Sequence, residues 1–120
     1  MKLDDVPAYR RASALSDYVW NIVIAWDTFA KFGLGRQFTD SVDSIGANIS
    51  EGFGRYYKKD KVRTFYTSRG EVFESNHWCK KAFKRNLITS EQYDYIMGEL
   101  RVMPKEINYL IKITSSNLTI

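Results

Sequence analysis

The chain's one histidine, His77, follows Glu74 in an E-x-x-H pattern. That spacing puts a carboxylate and an imidazole on the same face of a helix, as in bundle proteins that hold two iron ions. Such a site needs two copies of the pattern and a glutamate from each of two other helices. Because the chain has no second histidine, we expect no metal site; a surface histidine beside a glutamate is the simpler interpretation.

Cys79, the only cysteine, lies two residues after this histidine. Nucleophilic catalysis needs a base within reach of the thiol, and side chains two residues apart on a helix point in different directions. The segment Gly33-Leu34-Gly35 lacks the spacing of a phosphate-binding loop and follows no predicted strand. We therefore predict that the protein is not an enzyme, has no catalytic or metal-binding residues and needs no cofactor.

The lone cysteine also excludes an internal disulfide, which fits a reducing compartment. The N-terminal residues contain no apolar leader. The longest apolar segment, Tyr18 to Trp26, is shorter than the roughly 20 residues that a membrane span requires. These observations predict a cytoplasmic protein without a membrane partner.

Positive charge is concentrated in two segments. The chain carries a net charge of +4, yet residues 55–63 alone sum to +4 and residues 80–85 to another +4, so the remainder is acidic. Lysines and arginines attract phosphates, and tyrosines between them can stack on unpaired bases. We predict RNA or other nucleic-acid binding by these segments, through Arg55, Tyr56, Tyr57, Lys58, Lys59, Lys61, Arg63, Lys80, Lys81, Lys84 and Arg85.

Two alternatives stay open. The first basic segment could be a solvated turn whose tyrosines pack on the end of the molecule. The protein could also be a protein-binding scaffold, or accessory ring, without nucleic-acid contact. The acidic residues Asp40, Asp43, Glu71 and Glu74 suit such a scaffold better than they suit RNA.

Helical periodicity occurs four times, and strand patterns are nearly absent. With 44% hydrophobic and 27% charged residues, the composition is that of a folded domain and excludes a disordered chain. The connections are short, which favours neighbouring helices of opposite direction. We predict an all-α, antiparallel up-down four-helix bundle forming one domain over residues 1–120, with helices at about 13–32, 36–54, 60–85 and 90–114.

Local signals suggest how these helices begin and end. Ser13 or Ser16 is the expected cap of the first helix, which places Phe29 in its apolar stripe, and Gly33 with Gly35 is expected to end it. Asp60 is the expected cap of the third helix. The fourth should begin with a capping box from Thr89 to Gln92 and be kinked at Pro104.

Three of the predicted helices carry a second apolar stripe, facing away from the first. A helix of a monomeric bundle is normally polar on its outer face, and large exposed apolar patches mark interfaces. Scattered aromatic residues on the surface are the simpler alternative. We predict self-association into a ring-shaped homo-oligomer through Trp20, Ile24, Trp78, Tyr95, Val102 and Tyr109.

The second predicted helix has small and polar residues beside its apolar stripe. If these are covered by the third helix, their hydrogen-bonding groups need partners, and a buried arginine needs a carboxylate. The sequence therefore predicts a polar network of Asn48, Glu51, Arg69 and Glu74.

The string Ser44-Ile-Gly-Ala-Asn-Ile-Ser-Glu-Gly-Phe-Gly-Arg55 resembles the signature S-I-x-A-N-I-x-E-G-x-x-R of the 23S rRNA intervening-sequence protein family. The segment Phe65-Tyr-Thr-Ser-Arg-Gly-Glu-Val-Phe-Glu74 resembles the family's pattern of an aromatic pair, Arg-Gly and then Glu. The resemblance covers roughly residues 13–115.

This resemblance implies a bacterial antiparallel four-helix bundle that assembles into a ring-shaped homopentamer. Bundles similar to it serve as basic accessory proteins of reverse transcriptases, which implies nucleic-acid contact by analogy. The chain departs from the family at Asp40, where many members have arginine, and at Glu71, where serine is usual. These acids, with Asp43 beside the signature, argue against a basic surface on the second helix.

Overall fold

The computed structural model describes residues 2–116 and within them contains helices and no strands, which confirms the all-α prediction. Met1 and residues 117–120 of the expected single domain lie outside the described residues. The elements, in chain order, are a 3₁₀ turn (Leu3–Asp5), α1 (Pro7–Val23), α2 (Thr28–Ala30), a π-helical turn (Lys31–Gly35), α3 (Arg36–Gly54), α4 (Lys58–Lys84) and α5 (Ser90–Ser116).

The four long helices surround one apolar core. α1 packs against α3 and α5, and α4 packs against the same two helices. The molecule measures 50 × 23 × 21 Å, and the 27 residues of α4 span about 40 Å of its length. Every long helix contributes fully buried side chains, among them Leu15, Val19, Phe38, Ile45, Phe65, Cys79, Ile96 and Ile107.

The first helix differs from the prediction at both ends. It begins at Pro7, whose fixed φ suits the first helical position, so Ser13 and Ser16 lie inside it and do not cap it. It ends at Val23, and the chain turns before a new helical segment starts at Thr28. Asp27 caps that segment, because its Oδ1 accepts a hydrogen bond from the Ala30 N–H at 3.0 Å.

Gly33 and Gly35 do not end a helix but lie in the π-helical turn that leads into α3. At Gly35 a Cβ would stand 2.7 Å from Cγ1 of Val23, so the glycine lets this turn approach the end of α1 closely. Because the helix breaks earlier than predicted, Phe29 leaves the apolar stripe and is 92% exposed.

The later helices lie near their predicted positions. α4 begins two residues before Asp60, which pairs with Arg63 and does not cap the helix. At the start of α5 the capping box is formed: Thr89 Oγ1 accepts from the Gln92 N–H, and Gln92 Oε1 accepts from the Thr89 N–H. α5 continues through Pro104 to Ser116.

The α3–α4 contact is close and partly polar. A Cβ on Gly52 would lie 2.6 Å from Cε1 of the buried Phe65, so the two helices meet at this glycine. Ser68 donates a hydrogen bond to the Ile45 carbonyl, and the buried hydroxyls of Ser75 and Ser41 bond to each other at 3.0 Å.

Candidate nucleic-acid interface

The first basic segment forms the connection between α3 and α4 and the first turns of α4. Tyr56 and Tyr57 are 81% and 65% exposed. Their rings meet edge to face, with centroids 4.9 Å apart. The two tyrosines therefore present aromatic surface to solvent. Their exposure does not fit the alternative in which they pack on the end of the molecule.

Two of the five bases in this segment face carboxylates. Arg55 lies 3.5 Å from Glu51, and the Arg63 guanidinium lies 3.0 Å from Oδ1 of Asp60. Both pairs are largely exposed, so solvent screens them.

The three lysines of the segment have no carboxylate within ion-pair distance in the part of the chain that the structure describes. Lys61 Nζ donates to the Phe53 carbonyl at 2.8 Å and so satisfies the end of α3. Lys58 Nζ donates to the Ser115 carbonyl at 3.2 Å, and Lys59 is exposed. Because carbonyl oxygens are neutral, these hydrogen bonds leave the positive charges of Lys58 and Lys61 uncompensated.

The second basic segment occupies the last turns of α4 and its C-cap. There Lys81 and Lys84 face the negative end of the helix dipole, and Asn86 follows with a φ of 60°. This segment stabilises a helix end whether or not it binds a ligand. About 25 Å of α4, from Arg63 to Lys80, separates it from the first segment, so the two segments form two distinct surfaces.

Five of the six predicted interface side chains are exposed: Trp20, Ile24, Tyr95, Val102 and Tyr109. Trp78 is half-buried, and its Nε1 donates to Oε2 of Glu74 at 3.1 Å. Sequence reasoning assigned Phe29, Tyr66 and Phe73 to apolar stripes and so missed that they are exposed. It also did not single out Phe32, which is exposed as well.

The predicted polar network is not assembled within the described residues, because each of its members has a different local contact. Asn48 donates to the Ser44 carbonyl, and Glu51 faces Arg55. The Arg69 guanidinium lies over the Phe73 ring, 5.9 Å from the centroid, and its buried Nε has no hydrogen-bond partner.

A polar cluster that sequence reasoning missed joins α1 to α5. Arg11 donates to Glu99 and to Glu106, at 3.0 Å in each case, and its hydrogen bond to Glu106 is the main cause of the raised pKa of the arginine. The three residues are far apart in sequence, and nothing in their local spacing indicates the cluster.

The residues considered for catalysis or metal binding have the following surroundings. His77 lies at the surface against Trp78, and Glu74 accepts from that tryptophan. Burial raises the pKa of the Cys79 thiol to about 12, which disfavours the reactive thiolate. Burial, and next the charge of Glu74, raise the pKa of Glu71. Among the described residues, no group of three or more potential ligands could hold a metal ion.

Comparison with known protein families tests whether the chain belongs to the family that its motifs resemble. A family model described as 23S rRNA-intervening sequence protein matches residues 4–109. The chain belongs to this family. The match includes both signature segments, so the tight glycine contact between α3 and α4 lies within the family region.

A crystal structure of a protein of unknown function from the S23 ribosomal protein family of Bacteroides thetaiotaomicron is similar in fold. It is 23% identical, covers 88% of this chain and 98% of its own, and superimposes with a TM-score of 0.80. Comparison with curated proteins finds no match. None of the described helices combines the length and the apolar character that crossing a bilayer requires.

Proposed function

We propose that this member of the 23S rRNA-intervening sequence family is a non-catalytic, homo-oligomeric, cytoplasmic RNA-binding protein. The observation that carries the proposal is the pair of exposed tyrosines at the α3–α4 connection, beside three lysines that have no carboxylate partner within residues 2–116. Lysines attract the phosphate backbone in a salt-dependent way, and exposed aromatic rings add stacking on unpaired bases.

Self-association would repeat this surface. Support comes from the exposed apolar side chains on α1 and α5, which large hydrophobic interfaces would cover. The family resemblance implies five copies in a ring. Linked copies of a modest site bind one long polyanion far more tightly than a single copy does.

The antiparallel up-down arrangement of a single domain belongs to the same proposal. It is supported by the short connection from Gly54 to Lys58. The order of contacts between α1 and α5 also supports it. Arg11 reaches Glu106, whereas Tyr18, farther along α1, contacts Tyr95, which is earlier on α5.

The RNA-binding proposal is tested by a mobility-shift assay with single-stranded RNA at several salt concentrations. Lys58→Glu/Lys59→Glu should weaken binding at least about tenfold and reduce its salt dependence, because charges on the surface are reversed. Lys61 is left unchanged, since its ammonium group satisfies the end of α3.

Arg10→Glu/Lys105→Glu is the matched control, with the same charge change at two exposed bases outside both basic segments. We expect it to weaken binding much less. The proposal is wrong if the wild-type protein shifts no RNA at low salt, or if both double variants lose the same affinity.

A second candidate is a protein-binding scaffold. It is favoured by Phe29 and Phe32, both exposed, on the segment between α1 and α3, away from the α3–α4 connection. Recovery of tagged protein from its host with and without nuclease separates the two candidates. Co-purified RNA supports the first, and a partner protein of fixed stoichiometry that survives nuclease treatment supports the second.

A further inference from the structure

A cavity of about 240 Å³ opens between α4 and α5, halfway along the molecule. Drug-sized ligands occupy pockets of roughly 300–1,000 Å³, so this one has room for a single small ring system. None of its lining residues is acidic; they are Val72, Phe73, Asn76, Met97, Leu100, Arg101 and Pro104.

One face of α4 carries aromatic, basic and amide groups, of which Phe73 and Asn76 line the cavity. Tyr66, Arg69, Phe73 and Asn76 follow one another in steps of three and four, which aligns them on one side of the helix. The Phe73 ring is 55% exposed, and the Arg69 guanidinium lies over it. The partly exposed Phe73 ring, with the Arg69 cation over one of its faces, is therefore part of the wall that a planar ligand would contact.

Three polar groups border the cavity. Among the described residues, the half-buried Asn76 amide has no protein hydrogen-bond partner and the exposed Arg101 has no ion-pair partner, so solvent reaches both side chains. Pro104 has no N–H, so the Leu100 carbonyl, four residues earlier, loses the donor that a regular helix supplies. The Asn76 amide and the Arg101 guanidinium are therefore free to bond to a ligand in the cavity.

We propose that this cavity binds one unpaired adenine of an RNA strand, an inference that rests on the proposed function. The adenine ring packs on Phe73, the Asn76 amide pairs with the adenine N6 and N7 edge, and Arg101 contacts the adjoining phosphate. Asparagine is suited to adenine because its amide offers one donor and one acceptor side by side. The basic α3–α4 end then supplies affinity for the backbone, and the cavity supplies preference for single strands.

The first experiment titrates the full-length protein with adenosine 5′-monophosphate and follows amide and side-chain resonances by NMR. Shifts should cluster at Phe73 and Asn76, including the Asn76 side-chain amide. Ribose 5-phosphate, which lacks the base, should leave these resonances unchanged. Equal shifts with both ligands, or none with either, would overturn the adenine site.

The second experiment measures binding of a single-stranded oligoadenylate and of an RNA duplex of equal length. The variant Phe73→Leu/Asn76→Ala should bind oligoadenylate about tenfold more weakly, because stacking and edge contacts are lost, and the duplex unchanged. The matched control, Phe29→Leu/Asn21→Ala, changes exposed residues of the same types elsewhere and should bind both as the wild type does.

Failure of the cavity and failure of the proposed function are distinguishable. If the wild type binds RNA but the cavity variant binds oligoadenylate equally well, the adenine site is wrong and RNA binding stands. If the wild type binds no RNA at all, the proposed function is wrong, and the nucleotide titration alone then decides the cavity.

Discussion

At the scale of single residues, two helical glycines have opposite effects on the stability of the fold. Gly52 lies at the α3–α4 contact, where a Cβ would lie 2.6 Å and 2.9 Å from two ring atoms of Phe65. That ring is buried and has little room to move. Gly70, on α4, has nothing within 4 Å of its Cβ position. The first glycine is required by packing, and the second only weakens its helix.

Alanine at each glycine tests this difference. Gly52→Ala should lower the free energy of unfolding by about 1–3 kcal/mol, because the new methyl group forces the helices apart. Gly70→Ala should raise it by about 0.5–1 kcal/mol, because alanine favours the helix. Urea denaturation followed by circular dichroism measures both. Changes of the same sign in the two variants would contradict the packing described.

At the scale of helices, the positions of α3, α4 and α5 followed from periodicity and from the capping box at Thr89. The end of the first helix was predicted wrongly, because an apolar run continues through the turn after Val23. Hydrophobic periodicity alone does not show that the chain turns there. Asp27 marks the break, but the two nearby glycines carried the stronger sequence signal. The Arg11 cluster and the α4–α5 cavity depend on contacts between distant segments, so no local pattern predicts them.

Pro104 gives a prediction for α5 as a whole. Pro104→Ala should restore a hydrogen bond to the Leu100 carbonyl and stabilise the protein by up to about 3 kcal/mol. Thermal unfolding of the variant should show a higher Tm. The conservative control is Lys105→Ala, an exposed neighbour on the same helix, which should change Tm little. A lower Tm in Pro104→Ala would mean that α5 needs the proline to pack.

At the scale of the whole molecule, the two basic segments lie at opposite ends, and apolar side chains lie exposed between them. A monomer with this surface would leave Trp20, Ile24 and Tyr109 in water. An assembly would cover such residues and hold several α3–α4 ends together. RNA binding by avidity therefore depends on self-association, which makes the oligomeric state the central claim.

The most direct test is the mass of the purified protein by light scattering across a range of concentrations. We expect a homo-oligomer of about five times the 14.0 kDa chain mass, and a lower mass for Trp20→Ser/Tyr109→Ser. Circular dichroism should show that this variant keeps its helices. A wild-type mass of 14.0 kDa at high concentration would contradict self-association and the avidity that depends on it.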